Sequence, residues 1–154
     1  MTDNPINAQT APRQRWLSVL ARATRAELEQ AVATLAPLEP IEHLRSAESG
    51  MVMLRARVGG TGDAFNLGEA SLTRCALRVG ASALGVGYAL GRDRRKAELI
   101  AVLDALLQDS ARQTLILNTV VAPLANQQAL KRDAVGRSAA TSKVEFFTFV
   151  RGAT

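Results

Sequence analysis

Residues 51–80 read MVMLRARVGGTGDAFNLGEASLTRCALRVG, and this stretch decides the fold of the chain. Apolar and polar side chains alternate through residues 51–58 and again through residues 71–79. A period of two is typical of β-strands, because successive side chains of a strand point to opposite faces of the sheet. The two runs therefore predict neighbouring antiparallel strands joined by a glycine-rich connection over residues 59–70.

The alternation also sorts the side chains of the two strands by face. One face is apolar, formed by Val52, Leu54, Ala56 and Val58 on the first strand and by Thr73, Cys75, Leu77 and Val79 on the second. Arg55, Arg57, Arg74 and Arg78 occupy the alternate positions of their own strands, on the side opposite the apolar face. We therefore expect a basic face across the sheet. A solvated outer surface is the simpler interpretation of any one arginine, whereas together they make anion binding a hypothesis to test.

The connection contains Gly59, Gly60, Gly62 and Gly68, but it matches neither common phosphate-binding motif. A Walker loop has four residues between its framing glycines, followed by lysine and a helix. Here five residues separate Gly62 from Gly68, Glu69 follows, and a strand comes next. The dinucleotide fingerprint fails as well, because no third glycine follows Gly60 and Gly62 at the required spacing.

What remains is a hairpin connection of about twelve residues, whereas most hairpin loops have about two to five. Loops of this length in compact domains usually have a function, and Phe65 lies in the middle of this one. Its ring either folds back onto the core, inserts into a partner protein or contacts a substrate directly.

Helical periodicity precedes the hairpin. Trp16, Leu17, Leu20 and Ala23 form one helical stripe, and the spacing of Thr24 and Glu27 fits a capping box that starts a second helix. Pro37 and Pro40 end that helix. A short strand over residues 41–46 and a turn over residues 47–50 are predicted to follow.

After the hairpin, residues 84–90 predict a third strand, whose face of Gly85, Gly87 and Ala89 indicates close approach of a helix or another backbone. Asp93 is a natural N-cap for a helix with a stripe of Leu99, Val102, Leu103 and Leu106. Helices are also expected over residues 114–121 and 125–140, and a fourth strand over residues 144–151.

The predicted fold is therefore α+β. An antiparallel sheet of about four strands has one apolar face packed by helices, and a helical pair lies at the N-terminus. Residues 1–12 are expected to form a disordered tail, and residues 13–154 a single domain.

Cysteine and histidine are too scarce for most autonomous active sites. Cys75 is the one cysteine and His43 the one histidine, which argues against a disulfide, zinc ribbons and Cys–His nucleophile pairs. His43 could in principle serve a triad, although an exposed polar residue near a strand end is the simpler interpretation. No apolar run approaches the roughly 18 to 20 residues of a membrane span, so a cytoplasmic location without membrane contact is expected.

Cations outnumber acids, with a formal net charge of +5. Nearly all the cations are arginines, which suit bidentate pairing with phosphate or carboxylate. A phosphate-rich or acidic partner is one interpretation, and a genome-wide composition bias is the other. The aromatic residues of KVEFFTFV, residues 143–150, indicate an alternative function as a free-standing nucleic-acid-binding module. However, the glycines of an RNA-recognition motif are missing from this segment, and the order of the predicted elements does not fit that motif.

Four segments together resemble a known family. RQRWLSVLARA from Arg13, the run containing GGTG and LGEASLTR, the segment beginning GYALGRD at Gly87, and KVEFFTFVRG from Lys143 are similar to the G-subunit (PhnG) family of the bacterial carbon–phosphorus lyase system. The likeness spans nearly the whole chain. Two departures are mild: Lys96 stands where a histidine is usual after GRD, and Glu145 and Phe149 stand where Asp and Met are common.

The resemblance implies a subunit of a transferase rather than an enzyme acting alone. In that family the G, H and I subunits, with the L protein, transfer the ribose triphosphate moiety of ATP to a phosphonate, releasing adenine and giving ribose 1-methylphosphonate 5-triphosphate. The core complex also contains the J subunit, and the I subunit is the expected direct partner. No cofactor or metal is expected in this chain, and ATP is a substrate of the complex.

We expect residues that contact a partner or substrate in the glycine-rich connection, in the strand after it, near the GRD segment and at the C-terminus. They are Gly59, Gly60, Thr61, Gly62, Phe65, Gly68, Glu69, Thr73, Arg74, Arg92, Asp93 and Arg151. No catalytic residue is assigned, although Glu69, Arg92 and Asp93 are the candidates if the chain has an active site of its own.

Overall fold

The computed structural model describes residues 5–58 and 61–141. The helices are α1 (Pro5–Arg22), α2 (Arg25–Thr34), α3 (Arg94–Leu107), α4 (Ser110–Ile116) and α5 (Ala122–Thr141), and a π-helical turn, Leu117–Val121, joins the last two. The strands β1 (Ile41–Arg57), β2 (Ala64–Val79) and β3 (Gly85–Leu90) form one antiparallel sheet in the order β1-β2-β3. The α+β fold with a helical pair at its N-terminus is confirmed, while the predicted fourth strand lies outside the described residues.

The N-terminal helices follow the predicted pattern. Thr24 and Glu27 form the expected capping box, and Trp16, Leu20 and Leu28 are buried. Helix α1 begins at Pro5, inside the range 1–12 that the sequence predicts as a tail, and it includes Pro12. The helix expected over residues 114–121 is also present, as α4 and the π-helical turn.

Strand β1 is one long strand, so the predicted turn over residues 47–50 is wrong. The pairing shifts register between His43 and Arg45 and again between Arg45 and Glu48, where β1 has one more residue than β2 each time. Such extra residues are β-bulges, which bend a strand without ending it. The small and polar residues 46–50 are thus accommodated in the ladder, because β2 is long enough to pair beside them.

Strand β2 begins at Ala64, so the connection predicted over residues 59–70 is much shorter. Arg57 pairs with Ala64, Arg55 with Asn66, and Leu54 with Gly68. Leu67 has no partner in this register and forms a bulge on β2. The glycine-rich composition predicts a loop that extends to residue 70, but residues 64–70 lie in strand β2.

The core lies between one face of the sheet and helix α3. Thr73, Cys75, Leu77 and Val79 of β2 are buried there as predicted, as are the α3 side chains Leu99, Val102, Leu103 and Leu106. The small-residue face of β3 receives the helix backbone. A Cβ added to Gly85 or Gly87 would meet the carbonyl oxygen of Ala101 or Ala97, respectively. The predicted close approach is therefore confirmed.

The helices cover only the base of the β1–β2 hairpin. Ala47 is the last fully buried residue of β1, and residues 64–69 of β2 are all exposed. We call the uncovered part, residues 50–57 and 64–70, the hairpin arm. It is a two-stranded ribbon that extends beyond the core and carries much of the predicted site.

Candidate functional site

The hairpin arm exposes large apolar side chains to solvent. The exposed fraction is 61% for Met51, 48% for Met53 and 63% for Leu67. Phe65 is 41% exposed, so its ring has not folded back into the core. Several large apolar side chains exposed on one short element are typical of an interaction site.

Both faces of the arm carry large apolar side chains. Residues directly opposite each other in an antiparallel pair share a face. The face away from α3, which we call the outer face, therefore presents Leu54 together with the pair Ala56 and Phe65. Met51 and Met53 lie on the inner face, beyond the reach of the helices. A partner that covers one face alone would leave the other exposed.

Two hydrogen bonds hold the described residues at the tip of the arm. The Gly62 amide donates to the Val58 carbonyl at 3.0 Å, and Arg57 Nη1 donates to the Gly62 carbonyl at 3.0 Å. A Cβ on Gly62 would lie 2.9 Å from the Val58 oxygen, so this position favours glycine. Thr61 is exposed beside it, whereas Gly59 and Gly60 lie outside the described residues.

Gly68 and Glu69 lie in strand β2, not in a loop. They pair with Leu54 and Met53 in the middle of the arm. Gly68 adjoins the bulge at Leu67, where a residue without a side chain accommodates the irregular ladder.

The predicted basic face across the sheet is wrong. Arg74 and Arg78 pair with Glu48 and Glu42 on the outer face. Arg55 and Arg57 alternate with Leu54 and therefore lie on the inner face, because the extra residue Leu67 on β2 shifts the pairing between the arm tip and the base by one residue.

Arg74 forms an ion pair with Glu48. Its Nε lies 2.8 Å from Glu48 Oε1, and Arg45 Nη1 lies 2.7 Å from the same oxygen. Hydrogen bonds from Arg45 and then Arg74 lower the pKa of Glu48. The cluster lies beside Tyr88 on the outer face, at the edge of a depression of ≈ 430 Å³. The three groups are exposed, so their contribution to stability is small.

Thr73 is fully buried and organises the end of β3. Its hydroxyl donates to the Gly91 carbonyl at 2.8 Å and lies 2.8 Å from Ser49 Oγ. The neighbouring Asp93 carboxylate caps α3 by accepting from the Lys96 amide at 2.9 Å. Arg92, which lies between Gly91 and Asp93 in the sequence, is exposed. Thr73 and Asp93 therefore have structural roles in the fold.

The predicted site residues fall into separate groups. The Gly91 amide donates to the Ser71 carbonyl, seven residues from the start of β2, so the GRD segment lies about 24 Å from the distal end of β2 at about 3.4 Å per residue. Thr73, Arg74, Arg92 and Asp93 lie at the base of the hairpin. Thr61, Gly62, Phe65, Gly68 and Glu69 lie along the arm, and Arg151 is outside the described residues.

Sequence reasoning missed the most heavily hydrogen-bonded carboxylate, Asp104. It is fully buried and accepts hydrogen bonds from Arg13, from the Trp16 indole at 2.9 Å and from the Val86 amide at 2.8 Å. An acid between the apolar residues of α3 was a signal that it needed buried partners.

The described residues contain neither a metal-binding cluster nor a membrane-spanning helix. Across residues 5–58 and 61–141, no group of three or more His, Cys, Asp or Glu side chains is arranged to hold a metal ion. Among the helices of the same ranges, none is both long and apolar enough to cross a membrane.

The family described as "Phosphonate metabolism protein PhnG" matches residues 11–152. The chain belongs to the PhnG family. A similar relative is the protein of Rhizobium meliloti (strain 1021) named alpha-D-ribose 1-methylphosphonate 5-triphosphate synthase subunit PhnG. It is 38% identical over 150 residues, which cover 95% of this chain and 93% of the relative.

Three segments by which the sequence resembles the PhnG family now have structural places. GGTG includes the turn at the arm tip, with its first two residues outside the described ranges. LGEASLTR runs along β2 from the bulge at Leu67 to Arg74, and GRD joins β3 to α3. These segments of the PhnG family thus follow the hairpin and its base.

Proposed function

We propose that this chain is a subunit of alpha-D-ribose 1-methylphosphonate 5-triphosphate synthase and does not catalyse the reaction alone. With the H and I subunits and the L protein, it takes part in transfer of the ribose triphosphate moiety of ATP to a phosphonate. The bond between ribose and adenine breaks, a bond from ribose to a phosphonate oxygen forms, and adenine leaves. The observation that carries this proposal is the 38% identity to the Rhizobium synthase subunit along almost the full length of both chains.

The hairpin arm supports a role inside an assembly with the H, I and J subunits of the carbon–phosphorus lyase core. Large side chains such as Phe65 and Met51 are 41% and 61% exposed, and a partner surface would remove them from water. We propose that the arm binds the I subunit, because aromatic residues in exposed positions are frequent interface anchors.

Co-purification tests the proposed assembly. Phe65→Ala should weaken recovery of the chain with the co-expressed H, I and J subunits by about tenfold or more, as expected when an anchor worth more than about 1.4 kcal/mol is removed. Gly62→Val, which places a side chain against the Val58 carbonyl, should act in the same direction. The matched control is Val135→Ala on helix α5, which is 69% exposed and should leave recovery unchanged.

Adenine release tests the proposed reaction. The chain purified alone should release no adenine from ATP and methylphosphonate, while the chain with the H, I and L proteins should release it. Adenine release by the chain alone would contradict a supporting role, and full release by the H, I and L proteins without it would contradict the proposed function.

A further inference from the structure

Among the residues that the structure describes, the sheet has three stretches of free edge, and they differ in how well they could accept another strand. Strand β3 offers six residues, two of them glycines, packed closely against α3. The free edge of β2 along the arm is interrupted by the bulge at Leu67. Short length and bulges are the devices by which proteins protect sheet edges from pairing.

The edge of β1 is different in its distal half. The proximal half contains the two register shifts, at residues 43–45 and 45–48, in which β1 carries the extra residue. From Glu48 to Arg57, β1 has no extra residue, and its sequence ESGMVMLRAR contains neither proline nor lysine. The seven residues from Glu48 to Leu54 pair with β2 without a register shift, and the charged residues Arg55 and Arg57 follow at the distal end of the edge.

The backbone groups on that edge lack strand partners. Strand β1 pairs only with β2 in the sheet, so in the described ranges alternate N–H and C=O groups of residues 48–57 point away from it. In the middle of this edge the side chains are apolar on both faces, with Met51 and Met53 on one and Val52 and Leu54 on the other. An exposed apolar stretch of strand edge is a template for pairing with another strand.

The charges of residues 48–70 indicate which class of molecule binds the edge of β1. Residues 48–70 carry two arginines, Arg55 and Arg57, against three acids, Glu48, Asp63 and Glu69, although the whole chain has a net charge of +5. Nucleic acid and anionic membranes bind through an excess of cations, which this segment lacks. An apolar segment of another protein is the complementary partner.

We infer that the edge of β1 over residues 48–57 accepts an extended, largely apolar strand from a partner subunit of the synthase, which continues the sheet beyond β1. Backbone hydrogen bonds supply the pairing, and alternate side chains of the added strand cover the two faces next to Met51, Met53 and Leu54. This inference depends on the proposed function, since it takes the occupant from the same assembly.

Hydrogen–deuterium exchange with single-amide resolution tests the inference on the complex formed with the H, I and J subunits. In the isolated chain, alternate amides of residues 48–57 should exchange quickly, because they face solvent. In the complex these same amides should slow by at least about tenfold, since they gain hydrogen-bond acceptors. The amides of residues 132–141 in α5 serve as an internal control whose exchange should not change.

A variant supplies the second measurement. Met51→Lys places a charge on the edge strand and should weaken the complex by at least about tenfold, whereas Leu130→Lys, at a residue that is 70% exposed on α5, should not. Folding of both variants is checked by circular dichroism. Complex that forms while amides 48–57 stay fast would overturn the inference and leave the proposed function standing.

The remaining outcomes also decide the matter. Slow exchange at residues 48–57 in the isolated chain would overturn the inference: with a dimer in sedimentation the occupant would be a second copy, and with a monomer it would be another segment of the same chain. Absence of any complex would overturn both this inference and the proposed assembly.

Discussion

Asp104 is a carboxylate in an apolar helix, and its hydrogen bonds join three elements that are distant in sequence. Arg13 and Trp16 reach it from α1, and the Val86 amide reaches it from β3. A buried charge is tolerated only when it is paired and hydrogen-bonded, and Asp104 meets both conditions. It therefore fixes the position of α1 against the β3–α3 unit.

Replacing this carboxylate should destabilise the fold. Asp104→Asn removes the charge opposite Arg13 and turns an amide donor toward other donors, so we expect a loss of about 2 to 4 kcal/mol in the free energy of unfolding. Arg13 is 31% exposed, which keeps the loss below that of a fully buried pair. Urea denaturation measures it. Asp133→Asn, at an exposed position on α5, is the control and should stay within about 0.5 kcal/mol. Equal midpoints for the two variants would contradict this role.

Glu27 should make stability depend on acidity. The hydrogen bond from the Thr24 backbone, followed by that from its side chain, lowers the pKa of Glu27 in the folded protein. Because this pKa is lower in the folded protein, Glu27 stabilises the native state at pH values above its unfolded pKa of about 4.3. The stabilisation is lost as the pH falls through the folded pKa. Glu27→Gln keeps the capping-box geometry but removes the titration. Between about pH 7 and about pH 3, the variant should lose less stability than the natural chain. Parallel curves in urea titrations would refute the assignment.

At the scale of elements, the contact between β3 and α3 depends on small residues. The α3 backbone at Ala97, Ala101 and Ala105 occupies the space that side chains at Gly85 and Gly87 would need. The close approach lets the central helix lie flat on a short strand, and it explains why the tight face of β3 could be inferred from its glycines and alanine alone.

Two glycine-to-alanine changes should therefore have opposite effects. Gly85→Ala brings a methyl group against the Ala101 carbonyl and should cost about 1 to 3 kcal/mol or more. Gly136→Ala, in helix α5 with no atom within 4 Å of the added carbon, should stabilise the protein by about 0.5 to 1 kcal/mol. Thermal unfolding of both variants measures the signs. Similar effects from the two changes would show that backbone propensity, and not packing, dominates at Gly85.

At the scale of the whole molecule, periodicity and capping residues predicted most of the elements. Thr24, Asp93 and the leucine and valine stripe of α3 act locally, within a few turns of helix, so the sequence contains their full signal. The bulges do not act locally, because an extra residue is defined only against its partner strand. For this reason the alternation alone does not predict that Arg55 and Arg74 lie on opposite faces, whereas the length of the connection is overestimated because its glycines resemble turn residues. The partners of Asp104 were equally hidden, since they lie up to 91 residues away.

The unpaired residue Leu67 reverses which face the alternate side chains of β2 occupy on its two sides. Counting by twos from buried Thr73 would send the ring of Phe65 toward the helices, yet it stands beside Ala56 on the opposite side. A one-residue insertion or deletion near this point would therefore swap which surface displays the aromatic ring while the core stays intact. Divergent relatives could in this way redirect the distal contact without redesigning the domain that supports it.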